Sequence, residues 1–424
     1  MAGAARPGRA SHQRGRVYLS STTTTTVRTG RRRPPPKRPP LSPSGLWHNV
    51  GFRGVLYQAL VIVLVIAAVV YLVGNAQKAM TALGIATGFG FLVEESGVAI
   101  GETVIRYDPD DSYTRAYAAA VLNTLKVSIF SVVLATILGT LLGIARLSGN
   151  WLLAKLSAFY VEGFRNTPQL VQIVFWYTLV VSMPPARQAL APLEGVYLSN
   201  RGLNLAWPVA DPVHGWMALA FALGCVGAWG SARWAGRRRR RTGRPFPVVG
   251  WGVALVVGLP LAAWLAGGAP TAIEVPEMRR FGYRGGLALS PEFLALLLGL
   301  SLYIAAFIAE IVRSGIQSVD REQIEAAKSI VLGKVDIYRK VILPQALRVI
   351  LPPAAAQYVS LSKNSSLGTL IGYPELFNIN NQIITLSGHT IEAIGIMMAV
   401  YLTISFTIST AMNLYNRAIQ IKER

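Results

Sequence analysis

Eight long runs of apolar residues, nearly free of charge, constrain this chain more than any other feature. They fall at about 55–74, 116–145, 157–182, 215–232, 248–266, 291–312, 345–371 and 391–415. A run of roughly 20 apolar residues matches the length a helix needs to cross ~30 Å of hydrocarbon. Lipid offers no partner for backbone N–H and C=O groups, so such a run must cross as a helix. With 52% hydrophobic and only 14% charged residues among 424, the chain is too apolar for a soluble enzyme of its size. The expectation is an all-α polytopic membrane protein with about eight transmembrane helices.

A net charge of +21 raises nucleic acid as a partner, but its placement argues against it. With the N-terminus inside, 29 of the 41 Lys and Arg fall on one face, 8 on the opposite loops and four within spans. That bias orients the chain by the positive-inside rule and puts both termini and the loop near 318–344 in the cytoplasm. Residues 1–54, with RRRPPPKRPP at 31–40, are too polar and too uniformly basic to order themselves and read as a disordered tail. Such a tail suits anionic membrane lipid, at about 1 kcal/mol per basic residue near the surface. The apolar run from Val55 is too long for a cleaved signal peptide.

Several classes drop out. Cys225 is the only cysteine, so no internal disulfide forms. His12, His48, His214 and His389 are scattered, and no metal site is expected. No G-x-x-x-x-G-K-[ST] segment exists: Gly333-Lys334 is followed by Val335 and lacks the upstream glycine. No catalytic residue and no cofactor are assigned to this chain; any ATP must be bound by a partner subunit.

The organisation follows from the runs. After the tail (1–54) come an extra first span with a weakly acidic outer loop (55–115) and the first part of a core (116–182). An insertion with two spans and the inner Arg237–Arg241 block follows (183–290). The core resumes at 291–417, and 418–424 is a cytoplasmic tail. The insertion's spans carry no charge in their middles and read as lipid-facing.

Polar residues inside the runs mark candidate pathway positions. An ionised side chain at a span centre costs about 2.5–3.5 kcal/mol on insertion scales, so such residues face a bundle interior or a wet cavity. The set comprises Asn123, Arg165, Asn166, Gln169, Glu310, Lys363, Asn364 and Ser365, with Lys126 and Glu162 beside them. Glu310 with Arg313, and Glu162 with Arg165, are one helical turn apart and suited to pair. Structural pairing and contact with a zwitterionic solute both remain open there. Asn123 and Thr124 equally suit interhelical hydrogen bonding. Lys363 lies far along a span and needs an acceptor.

One charged amphipathic stretch, EAAKSIVLGKVDIYRKVILP at 325–344, is wedged between apolar runs. Asp320 with Gln323 suggests a capping box opening a first helix. Gly333 suits the left-handed residue that ends it, and Asp336 suits the start of a second helix running toward Pro344. Ala326 and Ala327 leave no bulk where a partner surface approaches, and Glu325 offers a carboxylate.

Glu325-Ala326-Ala327 followed by Ile342-Leu343-Pro344 resembles the "EAA loop" of binding-protein-dependent ABC importers. In that family the loop is a helix-turn-helix that docks on the ATPase, which implies a coupling role for Glu325, Ala326, Ala327, Gly333, Ile342, Leu343 and Pro344. Many members carry Gly six residues after the Glu. Here that position is Val331, so either the turn moves to Gly333 or the helix runs on. Further stretches, among them AAVLNTLKVSIFS (119–131) and QYVSLSKNSSLGTLIGYPEL (357–376), resemble the polar amino-acid permeases. The insertion and GFGFL (88–92) resemble the larger subunit of general L-amino-acid importers. The resemblance implies a type I ABC importer permease (MetI-like) core in a bacterial inner membrane. It also implies a second homologous permease forming a heterodimer, a cytoplasmic ATPase dimer and a periplasmic amino-acid-binding protein.

Two other classes compete. An ion-coupled secondary transporter leaves the Glu-Ala-Ala segment unexplained and predicts transport that survives ATP depletion. A membrane-anchored interaction protein predicts loss of function when residues 1–54 are removed.

Overall fold

The computed structural model describes residues 50–82, 87–243, 246–280 and 282–419. The tail up to residue 49 and the last five residues, 420–424, therefore lie outside the described residues. The chain divides into two compact units, 1–76 and 77–424. Helix α1 (Val50–Ala82) carries the first apolar run, and residues 50–54, assigned above to the tail, are already helical. Val55, Leu64 and Tyr71 are exposed, as a lipid-facing helix requires.

The second unit is built around α7 (Pro291–Gln317), which packs against α2 (Tyr113–Ala145), α3 (Trp151–Asn166), α4 (Gln169–Val181) and α10 (Leu343–Asn364). Leu296, Leu300, Ile304 and Ile308 of α7 fill its core with Ile173 and Leu361. Close approach of α2 to α7 depends on Gly139 and Gly143. A Cβ on Gly139 would meet that of Ile308 at 2.6 Å, and one on Gly143 the Ala309 carbonyl at 2.7 Å. Small residues four apart suit helix association in lipid, where no hydrophobic force drives it.

Five helices among the described residues are long and apolar enough to cross a membrane: Phe52–Ala76, Tyr113–Ala145, Pro212–Arg238, Pro291–Gln317 and Thr390–Arg417. Gln169–Val181 and Gly250–Ala266 are shorter apolar helices. The 157–182 run thus splits into two helices, the end of α3 and α4. Pro168 has no N–H to donate, and Thr167 before it is extended at φ −97°, ψ 129°. Gln172 caps the break, donating from Nε2 to the Phe164 and Thr167 carbonyls at 2.9 and 3.0 Å. Likewise the 345–371 run ends its α-helix at Asn364 and continues as a 3-10 turn, Ser365–Ile371, closed by left-handed Gly372. Helix α11 (Leu376–Ser387) and α12 (Thr390–Ile419) complete the core.

The insertion holds the helical hairpin α5 (Pro212–Thr242) and α6 (Val248–Ala266), with α5 running through the arginine block. It also holds short strands beside the helices of an otherwise helical chain. β1 (Leu190–Leu193), β2 (Val196–Ser199), β3 (Gly202–Leu205) and β8 (Leu287–Leu289) form an antiparallel sheet in that order. β4 (Trp207–Pro208) pairs with β5 (Ile273–Glu274), and β6 (Glu277–Arg279) with β7 (Gly282–Arg284). Strands of two to four residues carry too little alternation to be read from sequence.

Candidate functional site

The Glu-Ala-Ala segment folds as a helix-turn-helix with its own small core. α8 (Arg321–Ser329) leads through a turn into α9 (Lys334–Ile337), a π turn at Tyr338–Ile342, and α10. Val319, Ala327, Ile337, Ile342 and Ala346 are buried together, with Ile324 and Leu332 packed on them. Ala327 and Ile342 thus face inward, and their size serves this packing; Glu325, Ala326 and Gly333 are exposed. Leu343 is half exposed and Pro344 partly buried inside a helix that continues past it.

Neither expected fate of the turn occurs. Val331 takes the left-handed conformation itself, at φ 57°. Its N–H donates to the Lys328 carbonyl at 2.9 Å, and that of Leu332 to Ala327 at 3.2 Å, which together make a Schellman motif. Gly333 instead has φ −64°, ψ 154°, extended backbone that any residue adopts. The turn stays in place because Leu332 must reach the core beside Ala327. A β-branched residue there is strained by about 1–2 kcal/mol. The expected capping box is also absent. Asp320 makes no side-chain cap, and Gln323 instead accepts from Gln345 Nε2 at 2.5 Å, tying α8 to α10. The outward face adds residues that lie outside the motif: Ile330, Val331, Val335 and Tyr338 are all exposed.

The candidate pathway residues separate into three places. At the C-terminal end of α7, Glu310 pairs with Arg313 one turn on and with Arg146 at the end of α2, clasping two core helices. The expected Glu162–Arg165 pair does not form among the described residues; the Arg165 guanidinium lies 5.2 Å from the Phe307 ring centre instead. Asn166 is exposed beside it.

At the α4–α10 junction, Asn364 Nδ2 donates to Gln169 Oε1 at 2.6 Å. Buried Ser365 donates to the Ser362 carbonyl at 2.7 Å. Lys363 is exposed and opens on a cleft of about 500 Å³ lined also by Ser366, Phe377, Tyr401 and Ser405.

Near the N-terminal end of α2, buried Asn123 donates to the Glu102 and Pro374 carbonyls at 2.7 and 2.9 Å. It therefore ties the segment before α2 to the turn before α11. Two carboxylates outside the candidate set prove central here. Glu102 pairs with Lys126 and accepts from Ser290, the N-cap of α7. Glu375 caps α11, accepting from the N–H groups of Phe377 and Asn378 at 2.8 Å each, and from Tyr401 Oη at 2.9 Å. Burial pushes the Glu375 carboxyl up to about 7 against the pull of those donors.

Comparisons with known proteins identify the family of the chain. A family profile described as "Binding-protein-dependent transport system inner membrane component" matches residues 220–422. The chain is 41% identical over 374 residues to AapQ of Rhizobium johnstonii, a general L-amino acid transport system permease protein, covering 88% of this chain and 94% of that one. It is 43% identical over 381 residues to YhdX of Escherichia coli K12, a putative amino-acid ABC transporter permease protein, covering 89% and 96%. It is 36% identical over 414 residues to BztB of Rhodobacter capsulatus, a glutamate/glutamine/aspartate/asparagine transport system permease protein, covering 90% and 97%. Nothing in these relationships supports an ion-coupled carrier. With a strained but intact helix-turn-helix between α7 and α10 and this degree of identity along nearly its whole length, the chain belongs to the amino-acid ABC transporter permeases, the membrane-embedded subunits of binding-protein-dependent transport systems.

Proposed function

We propose that this chain is one permease of a heterodimeric importer of L-amino acids in a bacterial inner membrane, with both termini cytoplasmic. A cytoplasmic ATPase dimer binds ATP and docks on residues 320–344. A periplasmic amino-acid-binding protein delivers solute from the other side. The chain itself performs no covalent chemistry. The observation that carries this reading is the outward face of the coupling element. Glu325 and Ala326 stand beside exposed Ile330, Val331, Val335 and Tyr338 on a unit with a packed interior. A rigid lever with an apolar, carboxylate-bearing face suits a partner that pushes on it. Past the Val331 turn, α9 continues through the π turn into α10, whose far end carries Lys363 and Asn364, a path that suits transmission of motion from the docking face to the cleft.

The test is purification of the chain from its native membrane, followed by ATPase assay with solute-loaded binding protein. Co-purification of an ATPase and a second permease, with hydrolysis raised by the loaded binding protein, is the expected result. A chain that purifies alone and moves solute without ATP overturns the reading. Glu325→Lys is expected to lose the ATPase on purification while the chain remains folded in the membrane.

A further inference from the structure

The β elements of the insertion surround an open basin of about 1800 Å³. Its wall carries four arginines, Arg201, Arg279, Arg280 and Arg284, against two carboxylates, Glu274 and Glu277. All six are exposed. Tyr197 of β2 and Tyr283 of β7 stack on each other in its wall, ring centres 4.4 Å apart, joining the β6–β7 hairpin to the main sheet. The backbone there is closely packed: Gly286, at φ 65°, passes so near β3 that a Cβ would lie 2.2 Å from the Leu205 carbonyl oxygen.

Position along the chain places this basin. β8 runs directly into the N-terminus of α7, and the coupling element follows the C-terminus of α7. Its 27 residues span about 40 Å at ~1.5 Å per residue, a membrane thickness. Basin and coupling element therefore lie on opposite sides of the membrane.

We propose that this basin is the docking surface for an acidic face of the periplasmic solute-binding protein; the proposal rests on the importer reading above. Three properties select that occupant over a small solute. The volume exceeds the ~300–1,000 Å³ of typical small-molecule pockets, and the basin is open. Its lining is rich in Arg and Tyr, the residue types that anchor protein interfaces. Its excess of positive charge sits on a preformed platform outside the helical core, suited to steering an acidic partner by long-range attraction. The insertion thus acquires a role its lipid-facing helices do not explain.

The experiment uses the whole importer in lipid nanodiscs with its loaded binding protein, reading the binding-protein concentration that gives half-maximal ATPase stimulation. The double variant Arg279→Glu with Arg284→Glu is expected to raise that concentration at least tenfold at low ionic strength, with the maximal rate preserved. The shift should shrink in high salt, because these charges are exposed and screened. Glu277→Arg, which adds positive charge, is expected to lower the same concentration. An unchanged half-saturating concentration in both variants overturns the proposal. So does a changed solute affinity of the importer measured without binding protein, which would make the basin a solute site. A wild-type importer that no binding protein stimulates overturns the importer reading, and this proposal with it.

Discussion

The ammonium of Lys126, inside α2, is held by the carboxylate of Glu102 from the segment that precedes that helix. The same carboxylate accepts from Ser290 at the start of α7. One side chain thus answers a charge inside a membrane-length helix and fastens the segment before α2 across two core helices. Both partners are largely shielded from solvent, so removing either leaves the other poorly compensated. Glu102→Gln and Lys126→Met are each expected to destabilise by about 2 kcal/mol, less than for a fully buried pair. The double variant should lose less than the sum. Thermal melts of the four proteins in detergent measure the coupling, and strict additivity would dissolve the pair.

Val331 and Gly333 exchange the roles their side chains suggest. Val331→Gly relieves a left-handed β-branched residue but adds unfolded-state freedom, for a net gain of about 0.5–1 kcal/mol. Gly333 has extended backbone and open space within 4 Å of where a Cβ would stand, so Gly333→Ala should be neutral within about 0.5 kcal/mol. The pair of melting temperatures decides it. A loss in Val331→Gly, or a large loss in Gly333→Ala, would place the turn elsewhere.

Glu375 makes stability depend on pH. Glu375 lies between the 345–371 and 391–415 runs, and its carboxyl is raised from 4.5 to about 7, chiefly by burial. Below 4.5 both folded and unfolded chains hold the proton, and its contribution is fully present. As pH rises toward 7 the unfolded chain ionises first, so stability falls, by about 3 kcal/mol over the window. The melting temperature of the wild type is expected to drop between about pH 5 and 7 and then level. Glu375→Gln should flatten that slope, and an equal slope in both proteins would assign it to another group.

The α2–α7 contact leaves no room at Gly139. Gly139→Leu drives a side chain into Ile308 and the Ala305 carbonyl, both under 3 Å from its first carbon. Overpacking of this kind costs about 3 kcal/mol. Monodisperse protein should be lost on gel filtration in detergent, whereas Gly163→Ala, with nothing near its Cβ, should behave as wild type.

Apolar runs make the membrane architecture legible because lipid leaves the backbone no choice but the helix. The helix-turn-helix around Glu325 is legible through its resemblance to a loop of ABC importers, and because few other segments between the apolar runs are charged and amphipathic. What stays hidden in the sequence is whatever depends on tertiary context. Pro168 announces a bend, yet the full break needs Gln172 to satisfy the freed carbonyls. The pairing of Ala326 with Ala327 conceals that one faces out and the other in, which only the packing of Leu332 and Ile342 reveals. Gly139-x-x-x-Gly143 is the local signal from which the close α2–α7 contact is readable. Glu102 looks like one more acidic loop residue, since nothing local links it to Lys126, 24 positions away.

Lys363 is where the pathway reading stands or falls. Lys363 lines the cleft between the end of α10 and α12, and no carboxylate pairs with it among the described residues. The end of α10 favours a cation through its carbonyls, but that does not require the charge to face a cleft. A transported amino acid brings a carboxylate, and a charge-assisted hydrogen bond to it is worth about 1.5–3 kcal/mol. Lys363→Met is therefore expected to lower uptake into proteoliposomes by about 10–100-fold at subsaturating solute. Lys363→Arg should recover part of it, and ATPase co-purification should be unchanged in both. Wild-type uptake by Lys363→Met would reduce this lysine to a structural charge at a helix end and move the solute path away from α10.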